Sequence, residues 1–219
     1  MRKNEFFQNG KRRKIKKKTV GILDLKSSNS GAIRSIVEKS FPEFDIKMVS
    51  SIQHFDDADN LILPGVGQIK SVANEIDALN IRIAIKNFAL SNRNILGICL
   101  GLQLLGTTSE EEKTVSCLGL LDYKTETMVS QKGYPVPHVG WNTVSIKQDS
   151  PLTTGIAKVT DFYFSHSFAV VESEEMLATT RYSTNFVSIV ARQNIYGVQF
   201  HPEKSQKDGL SLLSNFIRL

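Results

Sequence analysis

The sequence predicts an α/β domain with a mostly parallel central sheet covered by helices on both faces. Three observations predict it. Short, wholly apolar runs recur and stop abruptly, as strands buried on both faces do. Segments with helical apolar spacing lie between those runs, the alternation that builds parallel sheets. The 219 residues, 41% of them hydrophobic and 22% charged, suffice for one substantial core.

In chain order, Thr19 to Leu25 reads as a first buried strand. Ser30 to Ser40 reads as a helix through Ile33, Ile36 and Val37. Asp45 to Val49 is a second strand, and Asn60 to Leu63 a third, closed by Pro64-Gly65-Val66-Gly67. Helical patterns follow over residues 69–78 and 80–91. Asn94 to Ile98 is a buried strand running straight into a helix over Leu100 to Leu105. From about residue 114 the pattern becomes one of short β segments: Tyr123–Met128, Thr143–Ile146, Asp161–Ser165, Phe168–Val171 and Phe186–Ala191. Gly197 to Phe200 is the last strand, and Asp208 to Arg218 a terminal helix. The result is a mostly parallel sheet, flanked by helices, with additional mixed strands.

The net charge of +5 is concentrated at one end. Residues 1–18 carry nine basic residues and one acid, whereas residues 19–219 carry 18 basic against 21 acidic residues, net −3. We read residues 1–18 as a basic disordered tail and residues 19–219 as one domain. The domain offers no basic patch to continue the tail, so nucleic acid is not an expected partner. No apolar run approaches the ~20 residues of a membrane span, and no secretory leader is evident. Two cysteines, Cys99 and Cys117, are too few for a secreted disulfide scaffold and suit a reducing cytoplasm.

Cys99 lies in Gly97-Ile98-Cys99-Leu100-Gly101, where a strand becomes a helix. A side chain on such a turn is exposed at the carboxyl edge of the sheet, and small residues on either side let the backbone crowd together. The following helix presents its N-terminal positive end to the sulfur, which favours the thiolate. Taken alone, the pattern equally fits a small buried hydrophobe. Cys117 has no such setting and receives no role.

Gln199-Phe200-His201-Pro202-Glu203-Lys204-Ser205 follows the last strand. A cysteine nucleophile needs a histidine to move its proton, and the histidine needs a carboxylate to hold its tautomer. His201 and Glu203, two apart in extended chain, would project to one side. A surface loop with a stray ion pair fits this spacing as well. None of the four histidines, His54, His138, His166 and His201, has zinc-ligand spacing with another histidine or a cysteine, so no metal is expected.

Together these segments resemble the class-I, or triad, glutamine amidotransferases. Gly97 to Leu105 resembles their nucleophile motif and Gly197 to Ser205 their His/Glu motif. The likeness is greatest to the glutaminase subunits of imidazole glycerol phosphate synthase. Four features carry it: Pro64-Gly65-Val66-Gly67, Pro137-His138-Val139-Gly140-Trp141-Asn142, Tyr163-Phe164-Ser165-His166-Ser167, and Lys204 after the glutamate. Leu102 fits too, where related amidotransferases usually place histidine.

The resemblance implies a flavodoxin-like core and acyl transfer through Cys99, His201 and Glu203. Cys99 would attack the glutamine amide and form a thioester. His201 would protonate ammonia and then activate water. The oxyanion would meet backbone N–H groups of Leu100 and of the Gly65–Val66 region. Gly67, Gln103, Glu111, His166 and Ser167 would contact glutamine, Glu111 through its ammonium group. As one of three consecutive acids from Glu110 to Glu112, Glu111 also fits a solvated face. Trp141, Asn142 and Tyr163 would meet the partner, a (β/α)8-barrel cyclase/synthase subunit that receives ammonia within a heterodimer. Trp141, the only tryptophan, also fits a core position. No cofactor is implied.

Two departures from the family pattern stand out. Asp24-Leu25-Lys26-Ser27-Ser28-Asn29 replaces Asp-Tyr-Gly-x-Gly-Asn, and His166-Ser167-Phe168 replaces His-Ser-Tyr. A paralogous glutaminase feeding sugar amidation in surface polysaccharide synthesis is the second reading. A non-catalytic partner module and a cysteine peptidase are more distant ones.

Overall fold

The computed structural model describes residues 17–28, 30–111 and 114–219. Most of the basic tail, Asn29 and Glu112 therefore lie outside the described residues. Strand β1 (Thr19–Leu23) pairs in parallel with β2 (Asp45–Val49) and β3 (Asn60–Leu63). Strand β3 pairs in parallel with β4 (Asn94–Ile98), and β4 with a strand from the far end of the chain, Ile195–Val198. Helix α1 (Ser30–Ser40) buries Ile33 and Val37 against one face of this sheet. Helices α2 (Ile69–Ala78) and α3 (Arg82–Leu90) bury Val72, Ile76, Ile85 and Phe88 in a second apolar cluster. The inner parallel strands are mostly apolar because they separate these two clusters, whereas the edge strand β2 leaves Asp45 and Lys47 exposed.

Helix α4 (Leu100–Leu105) follows β4 without a linker and is buried at every residue. After it, β5 (Thr108–Ser109), β6 (Val115–Ser116) and β7 (Lys124–Thr127) extend the sheet at its far edge. The long antiparallel pair β8 (His138–Ile146) and β9 (Val159–His166) stands off the main path. Strand β10 (Phe168–Val170) pairs with β7. Strand β11 (Met176–Arg181) bridges β8 and β12 (Asn185–Arg192). Strand β12 then pairs antiparallel with β13, the segment Ile195–Val198. Helix α5 (Gln206–Arg218) packs Leu212, Leu213, Phe216 and Ile217 back onto the α1 face.

Three expectations need correction. Strands β5, β6 and β11 lie outside the expected elements: β5 and β6 have only two residues each, and β11 follows the acidic stretch Glu172–Glu175 without a clean apolar alternation. The last strand is Ile195–Val198 and not Gly197–Phe200. Residues 202–204 are not extended: they form a 3₁₀ turn, which Pro202 favours because its fixed φ suits a first helical position.

Among the described residues, no helix is long and apolar enough to cross a membrane. None of their His, Cys, Asp and Glu side chains gather in threes in a way that could hold a metal ion.

Candidate functional site

Strands β4 and β13 are neighbours and parallel, with Ile98 opposite Val198. The residues that follow each strand therefore leave the sheet at the same edge. Cys99 N–H donates to Val198 O at 2.7 Å, which ties the two exits together. Cys99 has φ 52° and ψ −104°, a left-handed backbone that costs a non-glycine residue about 1–3 kcal/mol. The surroundings enforce it. A Cβ on Gly97 would sit 2.5 Å from the backbone of Gly101, and one on Gly101 only 2.0 Å from Leu63 O. The glycines let β3, β4 and α4 approach so closely that the turn has no other path.

His201 comes from just beyond β13 and is held by its own backbone: its N–H donates to Tyr163 O at 2.8 Å, and its carbonyl accepts from Ser205 Oγ at 2.6 Å. Its Nδ1 lies 2.8 Å from Glu203 Oε1, and both side chains are almost wholly buried. Burial pulls the imidazole pKa down. The hydrogen bonds and charges of Cys99 and Glu203 outweigh burial and raise it to about 10. The structure thus brings Cys99, His201 and Glu203 into one buried, electrostatically linked group.

A cavity of about 320 Å³ opens beside Cys99, within the size range of small-molecule sites. Its walls include Gly65, Val66 and Gly67 from the loop after β3, and Leu100 and Gln103 from α4. Glu111, Pro137 and residues 165–168 complete it. Leu100 is the first residue of α4, where backbone N–H groups have no partner within the helix. Gly67 has φ +113° and packs against Ser27 O, which a Cβ would meet at 2.6 Å. Gln103 is buried and donates from Nε2 to Phe168 O at 3.1 Å. Glu111 does not stand on a solvated face: its Oε2 accepts from Ile69 N–H at 3.3 Å, at the positive end of α2. Every residue expected to contact glutamine thus lines one cavity.

The residues expected at a partner surface lie on the β8–β9 pair. Trp141 is not core: it is 49% exposed and meets Tyr163 edge-to-face at 6.2 Å. Asn142, its neighbour, is half-buried and points the other way, towards His138.

The departures from the family pattern are absorbed locally. Glu75 of α2 accepts from Lys26 N–H, Ser27 N–H and Ser27 Oγ–H at 2.7–3.0 Å, which pins the loop without glycine. Phe168 meets its partners Gln103 and His166 through its carbonyl, so the missing tyrosine hydroxyl removes neither bond.

Two residues went unassigned in the sequence. Gln199 is fully buried and donates from Nε2 to Cys99 Sγ at 3.7 Å. His138 is buried beside His166. A fully polar side chain in an apolar run was the available signal for Gln199; for His138, the Pro-His segment gave no hint of its cross-strand partner. Cys117 is buried, its thiol directed to Val115 O and pushed up to about 11 by burial, consistent with inertness.

Comparison with known proteins places this arrangement. The family model for class-I glutamine amidotransferases matches residues 22–219. An imidazole glycerol phosphate synthase subunit HisH from Nitrosococcus oceani is 39% identical over 202 residues, covering 91% of this chain and 96% of the relative. A HisH from Pelagibacter ubique is 35% identical over 206 residues, 91% and 99% respectively. Among solved structures, PurLQS from Thermotoga maritima superposes with TM-score 0.71 at 19% identity, over 93% of this chain and 99% of that one. Another glutamine amidotransferase gives 0.70 at 17% identity, over 91% and 97%. The chain belongs to the class-I glutamine amidotransferase family and, within it, to the HisH subunits of imidazole glycerol phosphate synthase.

Proposed function

We propose that the chain is the glutaminase subunit of imidazole glycerol phosphate synthase in histidine biosynthesis, hydrolysing glutamine to glutamate and ammonia. The observation that carries the reading is the shared exit of β4 and β13, which sets Cys99 beside a His201 already bonded to Glu203. Cys99 passes its proton to His201, and its Sγ attacks the side-chain amide carbon of glutamine. The negative charge that develops on the amide oxygen meets the Leu100 N–H and the backbone of Gly65–Val66. His201 gives its proton to the amide nitrogen, the C–N bond breaks, and ammonia leaves a thioester on Cys99. His201, now neutral, takes a proton from water, whose oxygen attacks the thioester. Glutamate departs and the sulfur returns to its starting state. Glu203 holds His201 by Nδ1 throughout. Glu111 receives the substrate ammonium, and Gly67, Gln103, His166 and Ser167 shape the rest of the pocket. No metal or organic cofactor enters this scheme.

Ammonia passes to a (β/α)8-barrel synthase subunit docked on the Trp141–Tyr163 face, with Asn142 turned inward behind it, the two chains forming a heterodimer in the cytoplasm. The 35–40% identity to HisH subunits over nearly their full length favours this over sugar amidation. The test is glutamate release from glutamine with the barrel partner and its nucleotide substrate present. Cys99→Ala is expected to lose at least ~10⁴-fold in rate, by analogy with loss of other triad nucleophiles. A variant as fast as wild type would remove Cys99 from the reaction.

A further inference from the structure

A chain of hydrogen bonds with only one possible direction runs from the surface to the glutamine pocket. It begins inside. His166 Nδ1 lies 2.8 Å from Phe168 O. A carbonyl only accepts, so Nδ1 carries the hydrogen. His166 is buried, which pushes its pKa down to about 3 despite the Phe168 bond, so the ring is neutral and Nε2 is bare. That bare nitrogen faces His138 Nδ1 at 3.0 Å, so His138 donates. Burial pushes His138 down to about 4; it too is neutral, and its Nε2 accepts. The donor there is Asn142 Nδ2 at 3.2 Å. The orientation of the Asn142 amide is fixed independently: Oδ1 accepts from Thr143 N–H at 2.8 Å, and Nδ2 also donates to Arg181 O at 3.1 Å.

The rings have little room to depart from this order. His138 is stacked between Phe164, at 4.9 Å, and Tyr182, at 4.0 Å. His166 meets Phe186 edge-on. The end of the chain is the turn that walls the pocket. Phe168 O accepts from both His166 and Gln103, and Ser165 O accepts the Cys99 thiol at 3.7 Å.

We infer that His138 is a positioning residue of the glutamine site: oriented by Asn142, it holds His166 as the Nδ1–H tautomer and thereby fixes the 165–168 turn in the shape that receives substrate. With the other tautomer, His166 Nδ1 would set a lone pair against Phe168 O, and the turn would open. The cause of the effect is pocket shape before chemistry, so it falls on substrate binding more than on turnover. The kinetic half of this inference rests on the glutaminase reading; the tautomeric half does not.

The experiment uses three forms of the full chain: wild type, His138→Phe, which keeps a ring between Phe164 and Tyr182 but cannot donate, and His138→Asn, whose amide N–H replaces Nδ1–H. Ring ¹⁵N spectra report the His166 tautomer, and glutaminase kinetics are measured in complex with the barrel partner. Wild type is expected to show His166 as Nδ1–H. In His138→Phe that signature is expected to be lost or mixed, with KM for glutamine raised about tenfold and kcat changed less than about threefold. His138→Asn is expected to restore both. An unchanged His166 tautomer together with an unchanged KM in His138→Phe overturns the inference. Should His138→Phe fail to fold, Asn142→Leu answers the same question: mixed tautomers on His138 and a raised KM support it, and unaltered spectra and KM overturn it. A wild-type complex that leaves glutamine intact would sink the glutaminase reading instead, and the tautomer spectra would then decide this inference alone.

Discussion

Glu203 shows how one side chain sets the state of another. Its Oε1 bonds His201 Nδ1, while Oε2 finds no partner among the described residues. Nearly all of what this buried acid contributes is therefore directed at His201. The folded-state pKa of His201, about 10, exceeds the ordinary unfolded value of ~6.5. The folded protein binds that proton more tightly, so the resulting stability is fully present below pH ~6.5 and is lost as pH rises towards 10. Glu203→Gln removes one of the raising causes. Wild type is expected to exceed the variant in stability most at pH 6, with the gap narrowing towards pH 10. Urea unfolding across that range checks it; a gap that widens with pH contradicts the assignment. The pairing of His201 with Glu203 was legible from two residues either side of a proline, but the path between them was not. A 3₁₀ turn does the joining, and extended chain does not. His138 was illegible in this role because its meaning lies in His166, 28 positions away and opposite it across two strands.

The inner parallel strands were the most legible elements, because burial on both faces leaves a nearly uninterrupted apolar run. Strand β11 escaped notice because it has polar flanks and a β-bulge in its pairing with β12. The start of β8 escaped too, since His138, Gly140 and Asn142 break the apolar alternation that would have announced it. The junction of β3, β4 and α4 carries the strictest demand in the fold. Gly65, Gly97 and Gly101 fill positions where a Cβ would lie 2.0–2.6 Å from backbone or from Leu100. Their glycine pattern was visible in the sequence; that they answer to one another was not. Gly101→Ala must push α4 away from Leu63 O, because neither partner is a flexible side-chain end. A loss of about 1–3 kcal/mol in unfolding free energy is expected, read from the denaturant midpoint at constant slope. Displacement of α4 also moves Leu100 and Gln103, so glutaminase activity should fall by more than the lost stability explains. A variant as stable as wild type would mean that the close approach is not a constraint.

At the scale of the molecule, the β8–β9 pair has two faces with different uses. One turns His138, Asn142, Val144, Phe162, Phe164 and His166 inward, and of these His166 lines the pocket. The other shows Val139 at 56% and Trp141 at 49% exposure, with Tyr163 beside the tryptophan and the Lys204 ammonium 5.5 Å from the Tyr163 ring. Large apolar side chains grouped on an exposed sheet face, rimmed by polar groups, mark a contact surface. Adjacent residues alternate in direction along a strand, so a subunit covering Trp141 rests one residue from Asn142, the outer end of the hydrogen-bond chain. Trp141 is therefore the anchor by which we expect the barrel subunit to dock. Its truncation should weaken that association strongly while leaving the pocket assembled, because the indole itself makes no contact with the cavity beside Cys99. Trp141→Ala is expected to lower affinity for the barrel subunit by about 30-fold or more, as loss of a central aromatic anchor commonly does. Calorimetric titration of the two subunits measures it. At saturating partner the variant should recover most of the wild-type glutaminase rate. Undiminished affinity would move the docking surface elsewhere. Weak affinity with a rate that saturation cannot restore would show that Trp141 acts on the site as well as on the partner.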